Sequence, residues 1–118
     1  MESKSLELAK KYLGEKVLVK MDRKLGDVHP KWGWKYPVNY GFVPGVIAPD
    51  GEELDAYVLK INEPREEFEG EVVAIVHRTD NDDDKLVVIP EGETITDEEI
   101  EKLTEFQEKW FKHEIVRV

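Results

Sequence analysis

Hydrophobic positions in this chain fall mostly in short runs and alternations, as in strands, and only twice at the spacing of a helix face. Leu6, Ala9 and Leu13 recur at helical spacing within residues 3–13, and Gly14 follows, which predicts a short N-terminal helix. Lys16 to Met21 reads as a strand. From Leu25 to Gly45 aromatics, glycines and prolines dominate; Pro30, Pro37 and Pro44 exclude a long helix, and the Tyr, Phe and Val content suits short, bent strands with the aromatics as core. The turn Ala48-Pro49-Asp50-Gly51 leads to a strand from Leu54 to Ile61, which Asn62-Glu63-Pro64 ends. Gly70 opens a further strand, Glu71 to His77, and a polar run from Thr79 to Asp84 connects it to Leu86–Ile89, closed by Pro90. Thr96 stands three residues before Glu99, the spacing of a capping box, and heads a helix with Ile100, Leu103, Phe106 and Trp110 on one stripe. Ile115 to Val118 forms the last strand. Five or six strands with one helix near the C-terminus, and no strand–helix alternation, predict a mainly β fold, a small closed or partly closed barrel.

A length of 118 residues suits one domain over residues 1–118, and 40% hydrophobic content with three Trp, four Tyr and four Phe can fill its core. The absence of Cys excludes disulfides, thiolate nucleophiles, Cys-ligated zinc and iron–sulfur clusters. Seventeen Lys and Arg against 27 Asp and Glu give a formal charge of −10. That sign disfavours nucleic acid and anionic membrane surfaces as partners. No apolar run reaches signal-peptide or membrane-span length, so a soluble, cytoplasmic protein is expected.

Two acidic clusters carry the candidate chemistry. Asp50-Gly51-Glu52-Glu53-Leu54-Asp55 lies where a turn enters a strand, and Asp80-Asn81-Asp82-Asp83-Asp84 lies between two apolar strands. Either alone reads as a solvated loop. Extended backbone would aim Asp50 and Glu52 at one point, whereas a turn at Gly51 would bring Asp55 in as well. Two carboxylates about 5 Å apart repel by roughly 3 kcal/mol at an effective dielectric near 20, so several in one cleft need protons or cations. Oxygen-only clusters select Mg²⁺, Mn²⁺ or Ca²⁺. Asp80, Asp82, Asp84 and Glu91 match the spacing of an EF-hand, but Lys85 takes the place of its glycine and strand residues follow. Lys85, beside four Asp, is either a structural ion-pair partner or a clamp on a metal-bound anion such as phosphate. Tyr36 and Tyr40 flank Pro37 and Asn39 as core aromatics or as hydroxyl donors. His29, His77 and His113 are too scattered for a zinc site, and neither a P-loop nor a GxSxG or GxGxxG motif is present.

Taken in order, Tyr36-Pro37-Val38-Asn39-Tyr40-Gly41-Phe42, then Asp50 to Asp55, then Thr79-Asp80 and Asp83 to Pro90 resemble soluble inorganic pyrophosphatases of the Mg²⁺-dependent OB-barrel family. The resemblance implies a five-stranded OB-like barrel with a C-terminal helix and a metal-filled cleft on its side. It implies Asp50, Glu52, Asp55, Asp80 and Asp83 as metal ligands, for Mg²⁺ or alternatively Mn²⁺. Glu52 would orient or deprotonate the attacking water, and Tyr40 and Lys85 would sit at the attacked phosphate with Tyr36 in support. Asp22 is a looser match to a further acidic ligand. Pyrophosphate would be the substrate, and the family's symmetric homo-oligomers would be the assembly. Glu52 replaces the family's middle aspartate, and the hairpin expected between Met21 and Tyr36 is shortened. Only Arg23 and Lys31 stand near the family's phosphate-binding arginine, and its Tyr-Lys pair after the last helix is missing, with Lys112 and His113 out of register. A different phosphoanhydride, nucleotide or polyphosphate, or a non-catalytic barrel that binds metal or a partner are therefore the alternative readings. Trp32 and Trp34 could pack in the core or at an interface.

Overall fold

A computed structural model describes residues 4–79 and 83–117. Its elements are α1 (Lys4–Lys10), β1 (Lys16–Arg23), β2 (Asn39–Ile47), β3 (Glu53–Val58), β4 (Glu67–Arg78), β5 (Lys85–Ile89), α2 (Asp97–Glu108) and β6 (His113–Val116). The strands pair in the order β1-β2-β3-β5-β4, and a β1–β4 pairing closes them into a barrel. β6 adds to the outside of β4. All barrel pairs are antiparallel except β3 with β5, which run parallel in the register Ala56↔Leu86. The mainly β barrel with two helices is thus the observed architecture.

Every residue of β5 is buried, because both faces of this part of the sheet are covered. Leu54, Ala56, Val58, Leu86 and Val88 point inward with Val17, Val19 and Ile75, and Leu6 and Ala9 of α1 pack against them. The alternate residues Tyr57, Val87 and Ile89 point outward with Ala74 and Val76, and join Ile95 and Ile100 at α2. Thr96 caps α2 with the reciprocal bonds expected from its spacing to Glu99. The buried stripe of α2 is Ile100, Thr104 and Glu108. Trp110 lies past the helix end and is 66% exposed, so it does not continue that stripe.

Several boundaries differ from expectation for local reasons. β3 ends at Val58, and Lys60 takes a positive φ of 68°, which cannot extend a strand. Gly70 lies inside β4 rather than opening it, because the strand runs back to Glu67 to pair with β1; a Cβ at Gly70 would sit 2.5 Å from the Ile89 carbonyl oxygen. Gly41 meets a closer approach: a Cβ would sit 1.9 Å from the Lys20 carbonyl oxygen, where β1 crosses β2. The last strand begins at His113, and Val118 lies outside the described residues.

Candidate active site

The same alternation that fills the outer core also places a row of polar groups at its end. Asp55 precedes Tyr57 by two on β3, Lys85 precedes Val87 on β5, and Arg78 follows Val76 on β4. All three therefore emerge on the face covered by α2, at that helix's C-terminal end, and not in the barrel interior. Tyr40 of β2 pairs in register with Tyr57 of β3, their rings 5.0 Å apart.

Lys85 is 2% exposed, and its Nζ donates to Asp55 at 3.0 Å and to Asp83 at 3.3 Å. It also lies 5.6 Å from the centre of the Tyr40 ring. The Tyr40 hydroxyl is pushed well above its ordinary pKa by burial and by the negative charge of Asp55, to which it hydrogen-bonds. It therefore stays a proton donor across the physiological range. Tyr36, buried beneath it, stacks on Tyr40 at 6.1 Å and does not reach the cleft. Asn39 fixes the same segment: its Oδ1 accepts from the Leu25 and Arg65 amides, and its Nδ2 donates to the Glu63 carbonyl.

The acidic clusters meet, though not all of their members take part. Asp22, Asp50, Glu52, Glu53, Asp55 and Asp83 line one cavity of about 500 Å³. The Asp50–Glu52 stretch is a turn: Gly51 adopts a φ of 88°, and the Glu52 amide donates to Asp50 Oδ1 at 2.9 Å. Asp22 is raised from its ordinary pKa by burial first, then by the charges of Asp55, Glu53 and Glu52. Asp84 turns the other way. It is buried, bonds His77 at 2.9 Å and the Arg78 amide at 3.1 Å, and so serves the barrel end. Asp80 lies outside the described residues.

Among the described residues no three such groups converge closely enough to hold a metal as they lie. Asp55 and Asp83 are turned toward Lys85, and Glu53 accepts from the Gly45 amide. In chemical kind the donors fit a hard divalent cation: all are carboxylate oxygens, and their mutual repulsion, visible at Asp22, is what such an ion relieves.

The sequence reading missed two residues. Arg78, 5% exposed, donates from Nε and Nη2 to Glu108 at 2.9 and 3.0 Å and from Nη1 to Asp83 at 3.0 Å. Its guanidinium lies 3.8 Å from the Phe111 ring centre. Glu108 is fully buried and also accepts from the Tyr57 hydroxyl at 2.6 Å. Burial would raise the Glu108 carboxyl, but the bonds from Arg78 and Tyr57 outweigh it and hold it below its ordinary value. The signal was present: Glu108 stands eight residues after Ile100, on the same helix face, and a glutamate there needs a buried cation. Arg23 donates to the Asp22 carbonyl, and Lys31 lies over the Trp32 ring.

A second cavity, of about 660 Å³, adjoins the first through Asp55 and Asp83. Lys85, Arg78 and Tyr40 line it together with Trp32, Trp34 and Trp110. Of the two tryptophans before β2, Trp32 is thus an exposed cleft residue, whereas Trp34 lines the cleft half-buried, edge-on to Phe106.

Comparison with known proteins gives a consistent result. A family model for inorganic pyrophosphatase matches residues 6–116. The inorganic pyrophosphatase of Sulfolobus acidocaldarius is 32% identical over 87 residues, which is 70% of this chain and 47% of that protein. The Pseudomonas aeruginosa inorganic pyrophosphatase is 37% identical over 59 residues, covering 47% of this chain and 34% of the relative. The chain spans less than half the length of these curated relatives. Among solved structures, an inorganic pyrophosphatase from Ehrlichia chaffeensis superposes with a TM-score of 0.70 at 16% identity, over 90% of this chain and 88% of that one. At that identity the likeness concerns the fold.

Proposed function

The chain belongs to the inorganic pyrophosphatase family, and from that we propose that it hydrolyses pyrophosphate to two phosphates with divalent cations, Mg²⁺ first and Mn²⁺ second. One observation carries the reading: carboxylates from separate loops line a single cavity that shares Asp55 and Asp83 with a buried lysine and arginine. Asp50, Glu52, Asp55 and Asp83 would hold the ions, with Asp22 beside them; Asp80 is assigned by resemblance alone. Bound there, the ions would supply Lewis-acid polarisation and cancel the negative charge that otherwise opposes an anionic substrate.

The chain's own groups do the rest. Lys85 stabilises charge that grows on the leaving phosphate, and Arg78 holds Asp83 beside it. The protonated Tyr40 hydroxyl donates to a phosphate oxygen, and Tyr36 and Asn39 keep it aimed. Glu52, on the exposed turn, takes a proton from the attacking water as the water oxygen bonds to phosphorus and the bridging P–O bond breaks. The same reading carries a cytoplasmic location and a homo-oligomer.

The test is phosphate release from pyrophosphate with Mg²⁺, with chelator, and with Asp55→Asn. We expect turnover that chelator and substitution both abolish. Equal release by the intact chain and Asp55→Asn refutes the proposal.

A further inference from the structure

Glu108 grips Arg78 side-on. Nε of Arg78 donates to Oε1 at 2.9 Å and Nη2 to Oε2 at 3.0 Å, a two-point pairing that fixes the guanidinium plane as well as its place. The Phe111 ring covers the guanidinium, with 3.8 Å from its central carbon to the ring centre. Tyr57 donates to Glu108 Oε2 at 2.6 Å and so holds the carboxylate in turn. Since Nε and Nη2 face Glu108, the rigid fork turns Nη1 the other way, and Nη1 donates to Asp83 Oδ2 at 3.0 Å.

Asp83 depends on such support. It lies just before β5, in neither a helix nor a strand, so no regular backbone aims its carboxylate. It also lines both cavities. Its oxygens are held from two sides: Oδ1 accepts at 3.3 Å from Lys85, which Asp55 shares, and Oδ2 accepts from Arg78. The Arg78 amide donates to Asp84 as well, at 3.1 Å, so one residue of β4 fixes both the entry to β5 and the carboxylate beside it. An ion pair that only docked α2 on the barrel would end at Glu108 and Arg78. This one continues to a carboxylate of the cleft.

We propose that Arg78 and Glu108 are positioning residues for the metal site: Glu108 locks the Arg78 guanidinium, which holds Asp83 in the orientation from which it ligates a divalent cation. The C-terminal turn of α2 then sets the cation affinity of a carboxylate that precedes β5. The proposal rests on the metal-dependent hydrolase reading above. Groups that orient a metal ligand without touching the metal typically change its affinity by roughly 10–100-fold when removed.

Mn²⁺ binding to the full chain, measured by calorimetry without substrate, reads the effect apart from turnover. Two variants remove the aim and leave the net charge unchanged, so a shift in affinity reports orientation and not the local field. Arg78→Met with Glu108→Leu strands no buried charge and should melt near the intact chain. Arg78→Lys keeps a cation beside Glu108 but lacks the planar fork that reaches Asp83 at the same time. We expect the Mn²⁺ dissociation constant to rise about tenfold in each, and the Mg²⁺ concentration for half-maximal pyrophosphate cleavage to rise by the same factor. Should Arg78→Lys fail to fold, the double variant decides the case. Unchanged Mn²⁺ affinity in the folded double variant overturns the positioning role, and cleavage of pyrophosphate by the intact chain then leaves the hydrolase reading standing. A loss in the double variant with none in folded Arg78→Lys assigns the effect to charge and overturns the role of orientation. Absence of Mn²⁺ binding by the intact chain overturns both proposals.

Discussion

Replacing Glu108 by leucine strips a fully buried carboxylate that accepts two bonds from Arg78 and one from Tyr57. Arg78 is itself 5% exposed, so its charge cannot turn to water. Removing one partner of such a pair costs about 3–5 kcal/mol, most of it the penalty of a stranded charge. The surviving Arg78–Asp83 bond argues for the lower end, and the Tyr57 hydroxyl, left without its acceptor, argues for the upper. For a domain of this size roughly 4 °C accompanies each kcal/mol, so the melting temperature should fall by about 12–20 °C. The double variant Arg78→Met with Glu108→Leu removes both charges and should recover most of that loss, because an apolar pair of similar volume is close to neutral in such a place. Urea and thermal unfolding followed by circular dichroism measure Glu108→Leu, Arg78→Met alone and the double variant. A loss below about 1 kcal/mol for Glu108→Leu, or strictly additive single effects, would falsify the claim that this pair is desolvated and coupled.

Three other outcomes follow from the same geometry. Lys85→Met should lower kcat on pyrophosphate about a hundredfold or more while far-ultraviolet dichroism stays native, since Lys85 is the buried cation between Asp55 and Asp83; an unchanged kcat would remove it from the mechanism. Gly41→Ala should cost about 4 kcal/mol or more, or prevent folding, because its Cβ would lie 1.9 Å from the Lys20 carbonyl oxygen; a soluble variant with native melting would contradict that crossing. The pH dependence has two limbs. Glu108 sits below its ordinary 4.5 when folded, so its contribution is present above that value and is lost as pH falls through the folded one. His113 is raised above its ordinary 6.5: burial opposes this, but the Phe111 carbonyl and Glu101 prevail. Its contribution is full below 6.5 and is lost as pH rises through the folded value. His113→Gln should flatten the alkaline limb alone, as read by melting temperature across pH.

The order of elements was legible because it rests on local signals. Prolines, the Thr96–Glu99 capping spacing and the apolar runs of β4 and β5 each act over a few residues. Gly51 likewise declared a turn. Strand ends were less legible, because Gly70 and the Lys60 bend are determined by the packing of neighbouring strands and not by their own preferences.

What the sequence by itself determined is the strand-rich architecture and the kind of chemistry: which residues are acidic, which lysine stands among them, and how they alternate along each strand. What only the tertiary structure decided is which alternate face α2 covers, and hence that Asp55, Lys85 and Arg78 come to one edge while Asp84 turns away to His77. It also decided that the three tryptophans wall a cleft, and that Arg78 and Glu108 meet across thirty residues. The physical reason is one of range. Alternation fixes the relative side of each residue from nearest neighbours, whereas the choice of the buried side depends on barrel closure and helix docking, which involve the whole chain.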